Sequence, residues 1–100
     1  MEKWKKIYGK CKIRARNVRF EDVLVLFNHF GIRLAKEKRT KKGSHYLFSH
    51  PIVEKYEQRT LSLSRPHGGK ESYLHPKDLK NIVAYIELIE LYQGYEKKED

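Results

Sequence analysis

Phe20, Val23, Leu24, Phe27 and Phe30 repeat at helical spacing, and Gly31 follows at once. Such a stripe places one apolar face along a helix. Glu21 and Asp22 suit the first turn, and glycine is the residue that most cheaply takes the left-handed cap beyond the last one. A helix over 20–30 is therefore expected, buried on one side, and whatever follows Gly31 must cover that side. Directly after it the period changes from 3.6 to 2. Ile32 to Glu37 alternates apolar and polar, Lys38 to Lys42 reads as a hairpin loop closed by Gly43, and Ser44 to His50 reads as the return strand. Pro51 cannot donate to a ladder and should end the pairing.

The second half supplies a third strand, Thr60 to Ser64, in which Leu61 and Leu63 alternate with Thr60, Ser62 and Ser64. Ile52 to Arg59 reads as a variable connector. A last helix should start at Pro76, a residue suited to the first helical position, with Asp78 complementing the dipole. Leu79, Ile82, Val83, Ile86 and Ile89 make its buried face, widened by Tyr85, Leu88 and Tyr92. Leu24, Phe27, Ile82 and Ile86 should meet in one core. Trp4, Ile7 and Tyr8 predict a short helical turn, broken at Gly9 and leading into an extended arm. The expected organisation is a basic arm over 1–17, one domain over 18–93 and a charged, frayed tail over 94–100. One hundred residues hold one modest core and not two. The expected class is α+β: a three-stranded antiparallel sheet with two helices on one face, in the order α-β-β-β-α, behind a short N-terminal extension.

The charge is unevenly placed. Residues 1–50 carry fourteen Lys and Arg against four Asp and Glu, whereas residues 51–100 carry eight against nine. A half so cationic favours a polyanionic partner, because each Lys or Arg set on a phosphate releases a counterion. A single cysteine, Cys11, leaves no internal disulfide to form and fits a reducing compartment. The longest apolar run, Val23 to Phe27, is far below the roughly 20 residues that span a bilayer. No secretory signal pattern opens the chain, so the expectation is a cytoplasmic protein without membrane contact.

Among residues that could carry chemistry, His45 stands out, on a strand and just after Lys41 and Lys42. RNA cleavage through the substrate's own 2′-hydroxyl requires a proton acceptor or donor and cations for the phosphate, and imidazole titrates near neutrality. Spacing alone leaves two roles for His45, proton transfer or packing at a strand edge. Arg65-Pro66-His67-Gly68-Gly69-Lys70 is equally open: its glycines and cations suit a phosphate, and the same string is an ordinary turn after a strand. His50 before Pro51 reads as a strand end, His75 before Pro76 as a cap, and His29 as a residue beside the apolar stripe. No histidine and cysteine spacing matches a metal motif, and no metal or cofactor is expected.

Several features together resemble the HicA family, also called YcfA-like, toxins of type II toxin–antitoxin systems. They are Phe30-Gly31-Ile32, Gly43-Ser44-His45 followed by Leu47-Phe48, Leu61-Ser62-Leu63, Pro66-His67-Gly68-Gly69-Lys70, and a closing helix around Leu79, Ile82 and Ile86. The resemblance covers about Val18 to Tyr92. It implies a fold similar to the double-stranded-RNA-binding domain and a metal-independent endonuclease that cleaves messenger RNA and is neutralised by a HicB-type antitoxin. It places the catalytic histidine at His45. Lys38, Arg39, Lys41, Lys42, Ser44, Arg65, His67 and Lys70 are then the candidate RNA contacts. The chain departs from many members in having Tyr46 where they carry a second histidine, in its longer 52–59 segment and in its N-terminal arm. Two other functions fit the same residues: a non-catalytic RNA-binding module, and a protein whose sheet face mainly binds an antitoxin.

Overall fold

In the computed structural model the described residues are 2–41, 43–66 and 73–98. They form α1 (Lys3–Lys12), α2 (Phe20–Phe30), β1 (Arg33–Thr40), β2 (Gly43–Ser49), α3 (Pro51–Glu57), β3 (Leu61–Pro66) and α4 (Pro76–Lys98). The three strands make one antiparallel sheet in the order β1-β2-β3. The class is α+β as expected, and the element order gains two helices, α1 and α3.

Cross-strand partners share a face of a pleated sheet. Phe48 pairs with Leu61 and Tyr46 with Leu63, so these four side chains point to one side. α2 and α4 lie on that side. Phe27 packs against Phe48 with ring centroids 4.8 Å apart, and Phe20 meets Tyr46 at 4.7 Å. Leu63, Leu79, Ile82, Ile86 and Ile89 are fully buried in the same cluster. α1 packs on α2 and α4 and sends Ile7, Tyr8 and Cys11 into the core. α2 is thus covered on two sides. This corrects one expectation: Leu26 is fully buried while Leu24 is 41% exposed.

Local signals explain most boundaries. The Asp22 carboxylate accepts from the Arg19 N–H at the start of α2. Gly31 takes φ 77°, and the Ile32 N–H reaches back to the Phe27 carbonyl at 2.9 Å, closing the helix. Gly9 does not interrupt α1, and α4 runs through Gly94 to Lys98 in place of a frayed tail. The connector is the helix α3, and His50 is its cap: its Nδ1 accepts from the Ile52 N–H at 3.0 Å, and Pro51 opens the first turn. His75 caps α4 in the same way, accepting from the Lys77 N–H. Just ahead of α2 and α4, the Leu74 N–H donates to the Val18 carbonyl at 2.8 Å and so ties the two helix starts together.

β1 also differs from expectation. It reaches Thr40, so Lys38 and Arg39 belong to the ladder and not to a loop. The register shifts between Leu34 and Lys36, which leaves Ala35 as a bulge. Ile32 lies before the strand and is buried, while Leu34 is 51% exposed. Among the described residues no helix is long and apolar enough to cross a membrane.

Candidate nucleic-acid interface

The sheet face turned away from α2 and α4 is set by the register. Lys38 pairs with His45, which pairs with Ser64; Lys36 pairs with Leu47, which pairs with Ser62; Arg33 pairs with Ser49. The described positions on this face therefore carry three cations and no carboxylate. His45 occupies the central strand, so ladders on both sides fix its backbone. Its ring is exposed, and Nδ1 lies 3.0 Å from the Ser64 hydroxyl oxygen. A hydroxyl donates or accepts, so it supports either neutral tautomer. Nε2 is left to face solvent or a ligand.

The sequence-derived site divides between the two faces. His45 and Lys38 lie side by side, and Lys41 is exposed at the hairpin tip. Ser44 is 8% exposed and, with its partner Arg65, points to the helix side. Arg65 pairs with Glu21 of α2 and lies over the Phe20 ring, 5.2 Å from its centroid. Arg39 also alternates to the helix side and bonds Glu37 at 3.3 Å. Ser44, Arg39 and Arg65 are therefore not assembled around His45. Lys42, His67 and Lys70 lie outside the described residues.

Sequence reasoning passed over Lys36, Arg33 and Ser64. The signal for Ser64 was present: in a strand whose Leu61 and Leu63 point inward, Ser62 and Ser64 must point outward, beside the outward residues of the neighbouring strand. Lys36 was hidden by the bulge, which resets the alternation of β1, whereas Arg33 falls opposite Ile32 and Leu34 in the simple alternation and was legible.

The other described histidines have structural partners. His29 stacks on Trp4 at 3.6 Å between centroids. His50 is held in its neutral form: Nδ1 accepts from the Ile52 N–H, and burial above all lowers its pKa from the usual 6.5, against the Phe30 carbonyl, which favours the charged ring. Burial pushes the Cys11 thiol up to about 11, which leaves it inert. Among the described residues no three His, Cys, Asp or Glu side chains gather as metal ligands would.

Chemically, the open face offers one proton-transfer group flanked by cations. It suits a phosphodiester laid across β1 and β2. Comparison with protein-family models, curated proteins and solved structures finds no match to this chain.

Proposed function

We propose that this protein is a HicA-like RNA endonuclease that works without a metal in the cytoplasm and is silenced by a HicB-type antitoxin covering its open sheet face. The observation that carries this reading is the exposed His45 imidazole, anchored by Ser64 and bordered by Lys38 on a helix-free face with no described carboxylate. The ribose 2′-hydroxyl gives its proton to His45 and its oxygen bonds to phosphorus. The bond from phosphorus to the 5′-oxygen breaks, and that oxygen takes a proton from solvent water while the His45 imidazolium returns its own to solvent. Lys38, Lys36 and Lys41 neutralise the charge that grows on the phosphoryl oxygens.

His45→Ala is expected to keep the fold and RNA affinity while cleavage falls at least roughly 100-fold. Wild-type cleavage should survive EDTA and leave a 2′,3′-cyclic phosphate or its hydrolysis product. Undiminished cleavage by His45→Ala removes the residue from the mechanism. A second reading, a non-catalytic RNA-binding module with a double-stranded-RNA-binding fold, is favoured by one observation: His45 has no second acid or base among the described residues of its face. Salt-dependent RNA binding without cleavage of any RNA by the wild type would select that reading.

A further inference from the structure

α1 lies apart from the His45 face and is a second concentration of positive charge. Lys3, Lys5, Lys6, Lys10 and Lys12 occupy a ten-residue helix that contains no acid. None of the five forms a salt bridge among the described residues. The arrangement opposes the helix's own stability. Lysines fill a first turn whose exposed N–H groups favour anions, Lys6 and Lys10 repel at one-turn spacing, and Glu2 gives no side-chain cap. Gly9 adds to this, since glycine within a helix is less stable than alanine, and a Cβ there would meet nothing within 4 Å. Nothing in the fold calls for a glycine at that position. The surface beside it is open to a ligand.

Gly9 lines a notch of about 570 Å³, with Trp4, Tyr8 and Phe30 as aromatic walls, Lys5 and Lys12 at its sides and Glu90 of α4 opposite. That volume is in the range of small-molecule sites. The walls are already placed. Trp4 stacks on His29 and its indole N–H donates to Glu2, while Tyr8 and Glu90 line the notch together. The Lys5 and Lys12 ammonium groups lie 5.7 Å and 4.3 Å from the Trp4 and Tyr8 ring centroids.

We propose that this notch binds one unpaired nucleotide of a single-stranded RNA, with the base against the aromatic walls and the strand's phosphates on the lysines of α1. Aromatic faces beside cations are what single-stranded nucleic acids use. A membrane surface is disfavoured, because the apolar side of α1 is already spent on Ile7, Tyr8 and Cys11 in the core. Glu90 lies beside the Tyr8 hydroxyl and can accept from a donor on the base edge, while the larger face of adenine favours it over uracil against the aromatic walls. The site shares an RNA partner with the reading above and is independent of cleavage by His45.

Trp4 is the only tryptophan in the chain, so its fluorescence reports on the notch directly. The experiment titrates His45→Ala protein, which removes cleavage from the signal, with oligo(A), oligo(U), duplex RNA and anionic phosphatidylserine vesicles. Oligo(A) is expected to change Trp4 emission saturably and to bind at least several-fold tighter than oligo(U) or duplex. Gly9→Leu, which fills the notch, should weaken oligo(A) about tenfold or more while the melting temperature stays level or rises. Lys36→Ala with Lys38→Ala should leave the Trp4 signal in place. Oligo(A) that binds by filter assay with silent Trp4 emission, unchanged affinity in Gly9→Leu, or a preference for vesicles overturns the proposal. The first of these leaves the sheet-face reading standing. Absence of cleavage of every RNA by the wild type, with an intact Trp4 response, defeats only the cleavage reading.

Discussion

In the helical half, Val23, Leu26, Phe27, Leu79, Ile82, Ile86 and Ile89 are buried to within 1% of completeness, whereas every residue of β1 from Arg33 to Arg39 is exposed. The first region is held by apolar area removed from water. The second is held by its ladder to β2, with little packing on either face. A strand that does not fill a core has side chains free to carry charge, and β1 carries Arg33, Lys36, Lys38 and Arg39. Stability and the proposed RNA contacts are thus separated along the chain.

That separation predicts effects of graded size. Phe27→Ala should cost the most, about 3–5 kcal/mol by denaturant unfolding, because the cavity opens between α2 and Phe48. A loss below about 1 kcal/mol would mean the helical half is not the main source of stability. Tyr85→Phe should follow at about 1–3 kcal/mol. The buried Tyr85 hydroxyl accepts from the His50 N–H at 3.0 Å and donates to the Arg59 carbonyl at 2.9 Å, so its loss orphans a group at either end of α3.

His50 supplies a smaller, pH-dependent effect. Its folded pKa lies below 6.5, so above that value both folded and unfolded chains leave it neutral and its contribution is whole. As pH falls through 6.5 toward the lower folded value, only the unfolded chain takes up the proton, and stability declines. The melting temperature measured from pH 8 to pH 5 should fall on the acid side. His50→Asn, which can still cap α3, should reduce that fall. The least effect belongs to the hairpin. Lys36→Ala with Lys38→Ala should change stability by less than about 0.5 kcal/mol, yet lower the salt slope of RNA binding by about one for each phosphate no longer neutralised. A larger cost in stability would erase the contrast between the two regions.

What could be read from the sequence depended on whether an element has one partner or several. α2 was legible from its stripe and from Gly31, but the burial of Leu26 in place of Leu24 was not. A helix covered by the sheet alone buries one stripe, and α2 is covered by α1 as well. β3 was legible because its alternation is strict. α3 was missed although its signals stand side by side: His50 as cap, Pro51 in the first turn and Glu54 near the start. Only Val53 of its seven residues is buried, so no apolar period announces it. α1 reads as a brief turn when Gly9 is given the weight of a breaker, but an exposed glycine costs a helix about 1 kcal/mol and does not end it. His45 was found on its strand. The division of its expected companions between two faces was not, because pairing across strands 19 residues apart decides it.

The position of β1 at the border of the sheet has a consequence for association. Among the described residues no strand lies beside its outer backbone groups, and such a row is a template for a second chain. The lysines and arginines along it, together with the bulge at Ala35, keep a like-charged neighbour from docking there. The cations proposed to hold RNA are therefore the same ones that keep the protein from pairing with itself, and removing them exposes a bare edge along with an emptied binding surface.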